Sequence, residues 1–479
     1  MDPILYWNEV AIEADRTTHT TGDPTEAGAR GPAGSSRALA IVHLAMHDAY
    51  FGINTGDYEP YLGTGLPTAP VADVNAVNAA IAAAAHSTLS ALYPAQKAFF
   101  NARHAAAGLV AGKADTDGHV FGRKVAAKIL ALRQNDPGLG DDGYSISVAP
   151  GHHRQDPDNP TQPVYAPFYG AQSHCFAVTS RHHLDPYPQP GTPAYERALR
   201  QVRSKGIAPQ LIGTLPADLL PSRTPTETNI GLFWAYDGAR GLGTPPRLYN
   251  QILRQVAVGQ GNDTTQNARL FAVANTAIGD AGILAWNDKY FYDLWRPVLG
   301  VREDDPSTGP TGVGADGLGP NTDTGWLPLG AQNTNNVGQK NFTPPFPAYP
   351  SGHATFGGAF FQSIRQFYGQ GTIGPDTLAD GLEFVSDELN GINVDNTGTV
   401  RTRVVRKFSR GLWEMIEENG RSRPFLGVHW LFDAFATNEA GEIDLSQNIG
   451  GVRLGIDIAN DIAANGLKAS AAAGPADPS

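Results

Sequence analysis

Three short segments in the second half of this chain make chemical sense together only if the fold brings them to one point. They read KYFYDLWRP (289–297), PSGH (350–353) and SRPFLGVHWLFD (422–433). Lys289, Arg296 and Arg423 supply three positive charges, two with the planar fork that grips an oxyanion and one as a point charge. Ser351 and the Gly352 backbone N–H add neutral donors, and His353 and His429 add proton transfer and a nucleophile or metal ligand. A small, multiply charged tetrahedral anion is what this set is suited to bind. Any fold of the chain must therefore close the long gaps between the segments.

The local readings are specific enough to be tested. Lys289 and Arg296 lie seven apart, two helical turns, so the spacing predicts one face of a helix ending at Pro297. A solvated basic face is the bland alternative, but Trp286, Tyr290 and Trp295 crowd the same stretch. Ser351 and Gly352 open an apolar segment, which predicts a helix N-terminus with its N–H groups turned to an anion. An ordinary serine cap uses the same residues. His353 follows directly and is read as the acid–base group. Arg423 is expected to end a loop segment and His429 to begin a helix, with Asp433 one turn on, placed to orient a site group.

The ordered set Lys-x6-Arg-Pro, Pro-Ser-Gly-His, Ser-Arg-x5-His-x3-Asp resembles the signature shared by vanadium-dependent haloperoxidases and the phosphatidic-acid-phosphatase superfamily. The segments 233–251, 280–303 and 346–359 resemble the fungal chloroperoxidase branch of the haloperoxidases. That resemblance implies vanadate held by Lys289, Arg296, Ser351, Gly352 and Arg423, with His429 as its one protein ligand and phosphate able to occupy the same site. It implies hydrogen peroxide and halide as substrates, an organic acceptor for the product, Lys289 polarising peroxide and His353 handling protons. Asp237 in FWAYDG resembles the acid that pairs with Arg423, and Trp286 and Phe346 match aromatic positions on the halide side. Phe346 points to chloride as well as bromide oxidation. Two alternatives use the same residues: a phosphatase with His429 as nucleophile, and a non-catalytic oxyanion binder, which would be expected to have lost a charged or histidine member.

Composition narrows the class. Net charge is −12, from 35 Lys and Arg against 47 Asp and Glu, which argues against nucleic acid as a partner. Cys175 is the single cysteine, so neither an intramolecular disulfide nor a cysteine-based zinc site is available. The N-terminus lacks the basic and apolar regions of a secretory signal, and no apolar run is long enough to span a bilayer. The chain reads as soluble, without a membrane partner, and either cytoplasmic or exported by an unrecognised route.

Periodicity predicts helices over 37–51 (capped by Ser35 and Ser36), 74–92, 95–109, 118–133, 248–258, 264–294, 353–368, 378–389, 400–418 and 429–437. Strand patterns are scarce, while 55 glycines and 36 prolines fill long loops. The expected fold is all-α: two four-helix-bundle-like halves, 1–210 and 211–468, the second holding the site, and a flexible tail over 469–479. The loop 303–345 leads into PSGH and is expected to wall the site. His43 and His47 are read as core residues, and the pairs 152–153 and 182–183 as surface histidines. Asp304, Asp305, Asp316 and Asp323 lack the spacing of a calcium loop.

Overall fold

The computed structural model describes residues 2–56, 58–107, 116–314 and 319–470; among these, regular structure is helical, with isolated bridges and no β-strand. The first half contributes α1 (Pro3–Thr21), α2 (Gly31–Phe51), α3 (Val74–Leu92), α4 (Lys97–Ala106), α5 (Asp117–Leu132), α6 (Tyr169–Gln172) and α7 (Pro193–Lys205). The second contributes α8 (Pro225–Phe233), α9 (Pro245–Gly259), α10 (Thr264–Tyr292) and α11 (Pro297–Arg302). It is completed by α12 (Gly352–Phe367), α13 (Gly411–Leu426), α14 (Leu431–Ala434) and α15 (Gly451–Asn465). No helix of the described residues is long and apolar enough to cross a membrane.

The axis of the fold is α10. It starts in a capping box of Asp263 and Gln266 and is buried continuously from Asn267 to Lys289, as a helix with apolar residues on every side must be. It packs between α2 of the first half and α12 of the second, and α12 in turn packs on α13 and α15. Two carboxylates inside α10 hold a first-half loop: Asp280 accepts the N–H groups of Phe176, Ala177 and Val178, and Asp288 accepts that of Leu184 and pairs with His183. These bonds offset the cost of burying the charges.

Packing of α15 on α12 is backbone to backbone. A Cβ on Gly451 would stand 2.5 Å from the Ser351 carbonyl oxygen, and one on Gly455 2.4 Å from that of Thr355. Any side chain there displaces the first turn of α12, which carries Ser351 and Gly352.

Several expected elements differ. The segment 378–389 is turns and a short 3-10 piece, because Gly381 turns at φ 74 and Asp376 draws the Leu378, Leu412 and Trp413 N–H groups to its carboxylate. Residues 400–408 are non-helical, with Phe384 bridged to Arg406, 409–410 form a turn and only 411 onward is helical; Val400, Val404 and Val405 favour an extended form. Ser35 and Ser36 lie inside α2, where the Ser35 hydroxyl donates to Asp15. The helices α1, α7 and α8 were not expected from periodicity. Each begins with proline behind a capping Asp2, Thr192 or Thr224, a start signal independent of apolar spacing. Leu109, Asp316 and most of the 469–479 tail lie outside the described residues.

Candidate active site

Lys289 occupies the last turn of α10, which ends where Asp293 adopts φ 48 and donates its N–H to the Lys289 carbonyl. Arg296 does not share that helix, contrary to the spacing argument. It is extended (φ −80, ψ 157) and caps α11, because Pro297 disfavours helical geometry before it and fits the first helical position itself. The two cations still converge, through a chain reversal rather than a shared face. Arg423 is also placed differently from expectation: it lies within α13, with Pro424 carried inside the same last turn before the helix stops at Gly427 (φ 75).

Every candidate residue of the three segments is buried. Lys289 Nζ donates to the carbonyls of Pro347 at 2.9 Å and Ala348 at 3.2 Å, and to that of Pro350. All three of its donors are thus used, so it contributes charge rather than a spare N–H. Arg296 donates through Nε to Phe346 O (2.8 Å) and through Nη1 to Val428 O (2.7 Å) and His429 Nε2 (2.9 Å). Arg423 pairs with Asp237 at 2.7 Å. Two guanidinium nitrogens, Arg296 Nη2 and Arg423 Nε, are buried without a partner. Ser351 is the N-cap of α12, its Oγ accepting from Ala354 N and its hydroxyl hydrogen left over, with Gly352 the first helical residue.

Donor and acceptor rules fix both histidine tautomers. A guanidinium only donates, so His429 Nε2 is the bare nitrogen, and Nδ1 carries the hydrogen given to Asp433 at 2.8 Å. Asp433 also accepts from Trp430 N, and its carbonyl receives the Ser351 N–H at 2.8 Å, joining the third segment to the second. His353 Nε2 donates to the Ala235 carbonyl at 2.7 Å, leaving Nδ1 as its basic atom, and Nε2 lies 3.9 Å from Asp237.

Electrostatics follow from crowding cations in a dry place. Burial, then Arg296 and Arg423, hold the Lys289 ammonium well below its usual range, and burial draws Arg296 down to about 9. His429 is pushed well below 6.5 by burial and by Arg296, Lys289 and Arg423. His353 is pushed the same way by burial and Arg423. Burial raises Asp433 to about 7 against the pull of Lys289 and Arg296, and raises Asp237 against Arg423. Such a set is short of negative charge, and the orphaned guanidinium nitrogens are the donors a tetrahedral oxyanion accepts from.

Aromatic rings close one side. Phe346 packs on Trp286 with centroids 4.9 Å apart, and its ring lies 5.2 Å from Lys289 Nζ and 4.9 Å from Arg296 Cζ. From here a cavity of about 720 Å³ opens, lined at its inner end by Trp286, Phe346, Gly352, His353, Arg423 and His429. Phe342, Pro344 and Pro345 of the 303–345 loop wall it, as expected. Part of the remaining wall is a surprise: His19, Arg30, Pro32, Leu139, Gln162 and Tyr165 come from the first half. No motif marks these residues, since such a side chain is assigned to a cavity only by tertiary packing.

The remaining histidines divide. His43 and His47 are core residues, bonded to Leu39 and Asn8 and to Asp48. His152, His182 and His183 pair with Asp293, Asp461 and Asp288 near the surface. His153 is a correction: it is buried, neither ring nitrogen has a partner, and burial, then Arg296 and Lys289, hold its pKa well below the usual histidine range. Among the described residues no group of His, Cys, Asp and Glu is arranged to hold a metal ion.

Comparison with known proteins agrees with this geometry. The model of the vanadium chloroperoxidase N-terminal domain matches residues 1–168, and that of the VCPO second helical-bundle domain matches 269–448. The vanadium chloroperoxidase of Curvularia inaequalis is 36% identical, over 97% of this chain and 90% of its own. A bacterial vanadium-dependent iodoperoxidase superposes with a TM-score of 0.64 at 18% identity, covering 99% of this chain and 98% of that one. A holo-type bacterial vanadium-dependent chloroperoxidase gives 0.57 at 15%, covering 93% and 95%. The two structures share the fold, and the sequence match, spanning nearly the whole of both proteins, places this chain in the vanadium chloroperoxidase family.

Proposed function

We propose that this vanadium-dependent haloperoxidase binds orthovanadate through His429 Nε2 and oxidises bromide and chloride with hydrogen peroxide, passing hypohalous acid to an organic acceptor. The observation that supports the ligand assignment is the tautomer of His429: neutral, oriented by Asp433, and presenting its bare nitrogen beside Arg296. A metal ligand must be deprotonated at the binding atom, and burial together with the surrounding cations favours that state.

Arg296 Nη2, Arg423 Nε, the Ser351 hydroxyl and the Gly352 N–H would hold the vanadate oxygens. When bound, vanadate supplies a Lewis acid that polarises peroxide for two-electron oxidation of halide without itself changing oxidation state. The chain's residues do the rest. His353 takes the peroxide proton at Nδ1 and returns it, its Nε2–H anchored on Ala235 O. Asp237 fixes the Arg423 fork and keeps part of its charge inside the protein. Lys289 lends charge from behind Phe346, and reaches an oxygen only by releasing one of its three carbonyls. Trp286 and Phe346 exclude water from the halide side, lowering what desolvation of chloride costs.

The test is one assay panel: purified protein with orthovanadate, peroxide and either halide, following halogenation of a dye, beside p-nitrophenyl phosphate without vanadium. Halide oxidation dependent on vanadate is the expected result. Phosphate-ester turnover without halide oxidation overturns the assignment.

A further inference from the structure

Three consecutive residues that line no part of the cavity hold the turn on which two of its groups depend. The turn follows α8. Its Ala235 carbonyl accepts the His353 Nε2–H at 2.7 Å, and its Asp237 carboxylate accepts from Arg423 at 2.7 Å. Between them Tyr236 sits at φ 43, a left-handed conformation that a bulky side chain rarely adopts and that its surroundings must impose. The segment 386–388 supplies the hold at three points. Ser386 Oγ donates to the Phe233 carbonyl at 2.7 Å, the Asp387 N–H donates to the Tyr236 hydroxyl at 2.9 Å, and Glu388 Oε1 accepts the Tyr236 N–H at 3.3 Å. Glu388 is fully buried, and its other oxygen accepts from Thr334 Oγ1 and from Arg401. Arg401 also donates to the Gln332 side chain at 2.7 Å, and the Gln332 N–H donates to Asp237. The Glu388–Arg401 pair is thus tied to Asp237 twice, through Tyr236 and through Gln332.

We propose that Glu388 is a positioning residue of the reaction, holding through the Tyr236 N–H the turn that orients both the His353 ring and the Arg423 guanidinium. The inference rests on the haloperoxidase assignment, which gives His353 and Arg423 their roles. Donors meet both oxygens of Glu388: a backbone N–H on one, a hydroxyl and a guanidinium on the other. Only a carboxylate accepts on both sides, whereas an amide would turn its NH2 toward a donor in either orientation. Stability alone does not account for the pair, because a buried ion pair gains little over apolar side chains of the same shape. Its position does account for it. A shift of the Tyr236 backbone moves the Ala235 carbonyl and the Asp237 carboxylate together, and with them the proton-handling and the anion-binding group.

The test pairs tribromide formation by the vanadate-loaded enzyme with calorimetry of inorganic phosphate binding to vanadate-free protein. Both are run at pH 8, where the Glu388 carboxyl, raised to about 7 by burial against the pull of Arg401, is ionised. Glu388→Gln is expected to lower kcat about 10-fold and to weaken phosphate binding about 3- to 10-fold. The bromide KM, set on the side of Trp286 and Phe346, stays as it was. In an Asp237→Asn background the same change loses less phosphate affinity than it does alone, because it acts through that residue. Arg401→Lys keeps the charge beside Glu388 but gives up the second hold on Gln332. It moves the same two quantities in the same direction by about 2- to 3-fold, and it decides the question if Glu388→Gln does not fold. Unchanged kcat and phosphate affinity overturn the proposal, as do losses that add in full to those of Asp237→Asn. If the unaltered protein forms no tribromide, the haloperoxidase assignment fails, and the phosphate measurements alone decide whether Glu388 positions Arg423.

Discussion

The inner end of the cavity and its outer wall are built on opposite principles. At the inner end every polar atom but a few is tied: Lys289 to three carbonyls, Arg296 to two carbonyls and a histidine, Arg423 to Asp237, His429 to Asp433. The outer wall is mostly proline, leucine and aromatic side chains from loops of both halves, with Arg30, His19 and Thr244 among its polar members. The first region fixes a charge pattern and so determines reaction type. The second fixes only shape and polarity, which act on what reaches the reaction. Substitutions at the inner end should therefore change chemistry by orders of magnitude, and those farther out should change selectivity by small factors.

The largest effect belongs to His429→Ala, expected to reduce bromide oxidation to the level of vanadate-free protein, with vanadate binding lost in parallel. Retention of vanadate-dependent activity would falsify the ligand assignment. His353→Ala should lower turnover by about 10²- to 10⁴-fold while vanadate affinity changes little, because His353 makes its bond to Ala235 rather than to the anion donors. Equal losses in turnover and affinity would reduce it to a structural residue. Asp433→Ala frees His429 Nδ1 and should weaken vanadate binding by about 10- to 100-fold, read as the dissociation constant from activity reconstitution.

The same contrast explains what the sequence made legible. Charged groups at the inner end are conspicuous in an acidic chain, and Pro-Ser-Gly-His marks a helix N-terminus wherever it stands. The eleven candidate residues accordingly come together, although the backbone routes for Arg296 and Arg423 were misjudged. Spacing assumed an unbroken helix where Pro297 imposes an extended residue, and assumed a break at Pro424 where a last turn tolerates proline. His153 and the first-half wall carried no signal. One was a loop histidine like its exposed neighbour, and the others were mostly loop residues whose side is set by tertiary packing alone. Segments 378–389 and 400–410 failed for other reasons: in the first, Gly381 and side-chain capture by Asp376 outweighed an apolar period that suited a helix, and in the second the valines favoured an extended form bridged to Phe384.

Charge shortage at the inner end has a consequence that needs no catalysis. An oxyanion neutralises the cations that press His353 and His429 down, so the pKa of His353 rises on binding. Between the free and bound values, binding takes up a proton, and affinity strengthens as pH falls through the bound value. Calorimetry of phosphate binding near pH 6, in two buffers of different ionisation enthalpy, should show net proton uptake, diminished in His353→Ala. The bound anion also stabilises the fold, by about 2.7 kcal/mol at a concentration 100 times its dissociation constant, seen as a rise in Tm. Uptake that persists undiminished in His353→Ala would assign the proton to another group.

Halide scope is the smallest expected effect and lies at the junction of the two regions. The Phe346 ring covers Trp286 and stands over both Lys289 and Arg296, while its backbone oxygen, not its ring, holds Arg296 Nε. Phe346→His keeps that backbone bond but places a hydrogen-bonding ring where an apolar one kept water away. Chloride is more strongly hydrated than bromide, so restoring water to this face raises its cost of entry more. The expected outcome is a fall in the ratio of kcat/KM for chloride over bromide by about 3- to 10-fold, equivalent to about 1 kcal/mol, with vanadate affinity little changed. A proportional loss for both halides would mean that Phe346 supports the cations without selecting the halide. The limit on halide would then lie in the charges themselves.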